Sequence, residues 1–118
     1  MPMDIQCFPF HAIIRALGVK RIDYFSLDIE GAEEDVLRTI PLDKIYIDIF
    51  TIEYSMPGHE ESFKKGEKAR LNTEKLNRLR DFFKQSGLYK EIGILPWGTH
   101  DNKAKEEGKG HDVVFKRI

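Results

Sequence analysis

Tyr24 to Ile40 reads YFSLDIEGAEEDVLRTI, an apolar segment that runs into a cluster of carboxylates and out into a helical pattern, with Gly31 at the join. The apolar part belongs to IDYFSLDI, whose aliphatic and aromatic residues and few charges suit a strand covered on both faces. A strand is predicted over Ile22–Asp28. Beyond Gly31, the residues Ala32, Val36, Leu37 and Ile40 recur on one side of a helix that Pro41 closes, and Glu30, Glu33, Glu34 and Asp35 complement its positive N-terminal end. Strand, turn and helix in that order open a crossover unit, which decides the fold class.

Upstream, Phe8, Phe10, Ile13, Ile14 and Leu17 fall at near-helical spacing, with Pro9 suited to a first turn and Gly18 to a stop. Downstream, KIYIDIFTIEY (Lys44–Tyr54) sets Ile45, Ile47 and Ile49 on one face and Tyr46, Phe50 and Ile52 on the other, a strand buried on both sides. The polar stretch SMPGHEESFKKGEKARL then reads as a loop of a length that often carries function. Asn72 is the expected N-cap of a helix that carries Leu76, Leu79, Phe82 and Phe83 and ends at Gly87. YKEIGIL and HDVVFKRI are two strands joined by the polar PWGTHDNKAKEEGKG, so they pair antiparallel. This alternation predicts an α/β fold: right-handed crossovers, a mainly parallel sheet with helices on its faces, and a terminal antiparallel hairpin strand.

With 118 residues, 41% hydrophobic and 33% charged, the chain can bury the core of one domain. A net charge of −1, with lysines and arginines scattered among acids, argues against a nucleic-acid surface or a polybasic membrane patch. Cys7 is the only cysteine, which excludes an intrachain disulfide and a multi-cysteine zinc site and mildly favours a reducing environment. No apolar run approaches the ~20 residues that cross a bilayer, and Asp4 and Pro9 interrupt the N-terminus where a signal peptide would be apolar.

Ligands of open α/β sheets sit beyond the carboxyl ends of the strands, where Asp28 and Glu30 lie. Two residues apart, they share a face if the strand persists, and the Gly31 turn can bring them together over the crevice. Glu53, near the end of the second strand, points the same way, and His59 begins the loop beyond it. Each suits a general base or a substrate contact. The plain alternatives are that Asp28 or Glu30 caps the following helix and that Glu53 and His59 are solvated. Asp28, Glu30, Glu53 and His59 would suit magnesium or calcium, but no spacing is diagnostic and no metal site is expected. His11, His100 and His111 carry weaker signals, Cys7 reads as a small core residue without a base partner, and Trp97 as an aromatic packed on the sheet edge.

DYFSLDIEGAEEDVLRTI, followed by TIEY and later HDVVFKR, resembles the FkbM-type methyltransferases, a branch of the class I S-adenosylmethionine-dependent enzymes. The likeness runs from CFPFHAIIRALG to the last strand and is strongest at LDIEGAE. It implies that residues 1–118 are the C-terminal half of a class I, Rossmann-like domain, strands four to seven. The glycine-rich cofactor turn and the ribose-binding acid are then expected upstream, and this part alone is expected to be inactive. S-adenosylmethionine is the implied cofactor, with Asp28 and Glu30 bordering its methionine end and the acceptor. The implied reaction is methyl transfer to an oxygen of a small molecule or glycan. The wording QCFPFHAIIRALGVKRIDYFSLDIEGAE is also similar to animal members like Star, a membrane-anchored trafficking factor for growth-factor precursors. That implies an alternative, a non-catalytic adaptor of the secretory pathway. Either way the first strand has a free edge, open to self-association or a protein partner, and folding alone is expected to be marginal.

Overall fold

A computed structural model describes residues 2–96 and 110–118; Trp97 and His100 lie outside the described residues. In chain order the elements are α1 (Phe10–Ala16), β1 (Arg21–Leu27), α2 (Glu33–Thr39), β2 (Tyr46–Glu53), a 3₁₀ turn (Glu60–Ser62), α3 (Glu67–Ser86), β3 (Tyr89–Pro96) and β4 (Gly110–Arg117). They form a mixed α/β fold around a four-stranded sheet of order β1-β2-β4-β3. No helix among the described residues is long and apolar enough to cross a membrane.

The sheet is not mainly parallel as expected. β1 pairs β2 in parallel, whereas β2–β4 and β3–β4 are antiparallel. The reason is topological: β1, β2 and β3 all run the same way, but β4 enters between β2 and β3 and turns one parallel contact into two antiparallel ones. The helices are likewise not shared between the two faces. Phe25, Phe50 and Phe115 are in register across β1, β2 and β4. Phe10 of α1 meets Phe25 at 4.8 Å between ring centroids, and Phe83 of α3 meets Phe50 at 5.2 Å and stacks on Phe115 at 4.1 Å. One face therefore carries both α1 and α3, with α2 tied beside α3 through a Glu33–Lys75 ion pair. Each such ring pair contributes about 0.5–1.5 kcal/mol beyond its burial.

β1, expected to be covered on both faces, is an edge strand whose only fully buried residue is Leu27. Tyr24, paired with Ile49, is 56% exposed. β2, with neighbours on both sides, meets the expectation better: Ile47, Phe50, Thr51 and Ile52 are buried, although Tyr46 is exposed. α3 starts earlier than predicted. Gly66, at a left-handed φ of 77°, ends the loop, and the Glu67 carboxylate accepts the Lys64 N–H at 2.9 Å. The good helix formers Glu67 to Leu71 are then wound into α3. Asn72 is thus not an N-cap; it sits inside α3, and its side-chain oxygen accepts the Met56 N–H at 2.7 Å, pinning the loop after β2.

Candidate functional site

Where β1 ends, the chain must reverse into α2 within a few residues, and it does so through two positive-φ positions, Glu30 at 56° and Gly31 at 109°. Gly31 needs its glycine for that angle rather than for room, since an added Cβ would only touch the Pro57 ring at 3.6 Å. Glu30 has no such freedom, and its left-handed backbone is strained. The turn is held from inside by Glu33, whose carboxylate accepts the Ile29 N–H at 2.9 Å, the Gly31 N–H at 3.0 Å and the Lys75 ammonium at 2.8 Å. Both partners of that ion pair are buried, at 0% and 2% exposure. Burial alone would push the Glu33 carboxyl up, but the Lys75 and Ile29 hydrogen bonds outweigh it and hold the group below the usual carboxylate range.

The capping alternative for Asp28 and Glu30 is not realised: the α2 N-cap, Ala32, has no side-chain bond, and the turn amides of Ile29 and Gly31 go to Glu33. Asp28 and Glu30 are therefore left to meet Glu53 at the end of β2. Carboxylate oxygens of these three residues lie within 4.8 Å of one another. Burial, followed by the hydrogen bond and charge of Asp28 and the charges of Glu30 and Glu33, pushes the Glu53 carboxyl from its ordinary 4.5 up to about 8. At neutral pH Glu53 keeps its proton and donates it to Asp28. In the next strand, Asp112 faces Glu53 in register, and burial together with the charge of Asp28 raises it too. Beside it, burial lowers the His111 imidazole, aided by Lys68 and opposed by Asp112.

Three of the four residues singled out from the sequence thus converge. His59 does not join them: it is exposed on the loop after β2, where its carbonyl accepts the Ser62 N–H at 2.9 Å. Glu33, Lys75 and Asp112 were not singled out. Lys75 did carry a signal, because with Leu71, Leu79 and Phe83 it occupies the apolar stripe of α3, where a lysine requires a buried partner. The arrangement can accept hydrogen bonds from an ammonium or a hydroxyl, hold one proton between Asp28 and Glu53, and is tight enough to share a divalent cation among its oxygens.

The family model described as methyltransferase FkbM domain matches residues 2–90, which include Asp28, Glu30, Glu33, Glu53 and Lys75. No curated protein and no solved structure matches the chain.

Proposed function

Because the chain belongs to the methyltransferase FkbM domain family, we propose that the acidic cluster at the ends of β1 and β2 serves methyl transfer from S-adenosylmethionine to an oxygen of a small molecule or glycan. The observation that carries this reading is the convergence of Asp28, Glu30 and Glu53 beyond the carboxyl ends of two neighbouring strands. The donor set fits the methionine end of the cofactor, whose ammonium and sulfonium are cations and whose natural partners are carboxylates. When bound, S-adenosylmethionine supplies an electrophilic methyl group. Asp28 and Glu30 would hold the cationic end, and the Asp28 carboxylate, hydrogen-bonded by protonated Glu53, would accept a hydrogen bond from the acceptor hydroxyl and take up its proton.

The strand order, with an antiparallel β4 inserted beside β3, supports a class I, Rossmann-like arrangement in which β1 to β4 are strands four to seven. The outer edge of β1, unpaired among the described residues, supports the companion reading that further strands act together with these and that residues 1–118 alone turn over no substrate. The same free edge favours the rival reading, a family member that binds protein and transfers nothing.

An NMR titration of the chain with S-adenosylmethionine and with S-adenosylhomocysteine separates the two. A site that reads the sulfonium charge gives shifts confined to Asp28–Gly31 and Glu53 that saturate at lower concentration with S-adenosylmethionine. Equal responses to both compounds, or shifts elsewhere, would leave the binding-module reading.

A further inference from the structure

A second concavity lies at the opposite end of the strands, roughly 20 Å from the carboxylates by the rise of a seven-residue strand, where Val19 leads into β1 and Lys44 and Ile45 lead into β2. It is a groove of about 630 Å³ between α1, the end of α2 and the start of β2, within the ~300–1,000 Å³ range of small-molecule sites. Its lining includes Phe10, Ile14 and Pro41, apolar groups left half-buried, and the buried Ile45. None of the seven residues of α1 is fully buried, so this helix leans on the sheet and leaves a gap towards α2.

The charged residues at this groove are of one sign. Arg15 and Lys44 line it, with His11 beside them, and no carboxylate does. Of the seven arginines, Arg21, Arg38, Arg70, Arg78 and Arg80 are ion-paired, and Arg117 donates to the Leu42 carbonyl. Arg15 is the one whose side chain has no partner among the described residues, and Lys44 likewise has none. A half-wet apolar floor under two unpaired cations is complementary to a molecule with an anionic head and an apolar body.

We propose that this groove binds a single-chain anionic amphiphile, its carboxylate or phosphate held by Arg15 and Lys44 and its chain laid along Phe10 and Ile14 under α1. The two ends of the strands then carry opposite preferences, a cation at the acidic end and an anion here.

The test is calorimetry and NMR on the chain with dodecanoate and dodecyl phosphate, each kept below its critical micelle concentration, with dodecanol as the uncharged control. One anion per chain should bind and shift the Ile14 and Ile45 amides, with dodecanol much weaker. Arg15→Gln combined with Lys44→Gln should weaken binding roughly tenfold at low salt without moving the melting temperature of the free protein. Thr39→Trp, which fills the groove from its exposed rim, should abolish binding. The proposal is overturned if dodecanol binds as well as dodecanoate, if the double variant binds like the parent, if only vesicles containing anionic lipid bind, or if nothing binds.

Discussion

Replacing Glu53 by Gln should make the protein more stable, and by an amount that grows with pH. In the native state the Glu53 carboxyl titrates near 8 instead of 4.5, because it is partly buried against Asp28 and Glu30. Between those two values the unfolded chain has released a proton that the native chain keeps. Stability therefore falls as pH rises through this window, the reverse of an acid whose native pKa is depressed. The ceiling on that loss is about 1.4 kcal/mol per pH unit. Glu53 is partly open to solvent, which screens the shift, so about half of that, ~0.7 kcal/mol per unit, is the expected slope. Glutamine keeps a neutral donor to Asp28 and has nothing to release. From about pH 5 to about pH 8 the variant should thus gain ~2 kcal/mol on the parent, roughly 8 °C in melting temperature for a domain of this size. Urea unfolding of both proteins across that range reads the difference directly and cancels other titrating groups. A difference that stays flat with pH would show that Glu53 ionises normally and that the cluster shares no proton.

Lys75→Met strips the buried Glu33 carboxylate of its cation and should cost about 3–5 kcal/mol; adding Glu33→Gln should recover much of it, and a single-variant cost below about 1 kcal/mol in urea unfolding would contradict the burial of the pair. Glu30→Gly relieves a left-handed non-glycine residue and should raise stability by about 1 kcal/mol, while weakening the response to S-adenosylmethionine; a melting temperature that falls would show that Glu30 is held by contacts rather than strained. Asn72→Ala orphans the Met56 N–H and should cost about 1 kcal/mol with helix content by circular dichroism unchanged, whereas loss of helical signal would mean that Asn72 starts the helix after all.

The parts of this fold legible in the sequence are those where a local rule and the tertiary context agree. Ile22–Asp28 was placed within a residue because an apolar run stops at a carboxylate, and Gly87 ended α3 as expected because only a left-handed residue fits there. What failed needed knowledge of neighbours. A strand with few charges reads as buried on both faces, yet Tyr24 is exposed because β1 lies at the sheet edge, a property of pairing and not of composition. Asn72 satisfies the local rule for a cap, but the Met56 amide claims its oxygen and Gly66 supplies the helix start. At the site, Asp28, Glu30 and Glu53 were legible from their place at strand ends. The division of labour was not, because it depends on Lys75, 42 residues beyond Glu33, reaching under the turn.

That division gives the acidic cluster its chemical character. A turn that packs carboxylates this closely would ordinarily spend them on its own amides, as the capping alternative supposed. Here Glu33 takes the Ile29 and Gly31 amides and is itself neutralised from below by Lys75, so the carboxylates above it remain available and repel one another. Burial of Glu53, reinforced by that repulsion, keeps a proton on it. A bound cation would serve in that proton's place, so proton and cation must compete for the cluster. Affinity for the cationic S-adenosylmethionine should therefore rise with pH and level off near the Glu53 value of about 8, while the thioether S-adenosylhomocysteine follows a shallower course. Glu53→Gln should flatten the first curve onto the second. Parallel pH profiles for the two compounds in the parent protein would separate the raised carboxyl from cofactor recognition.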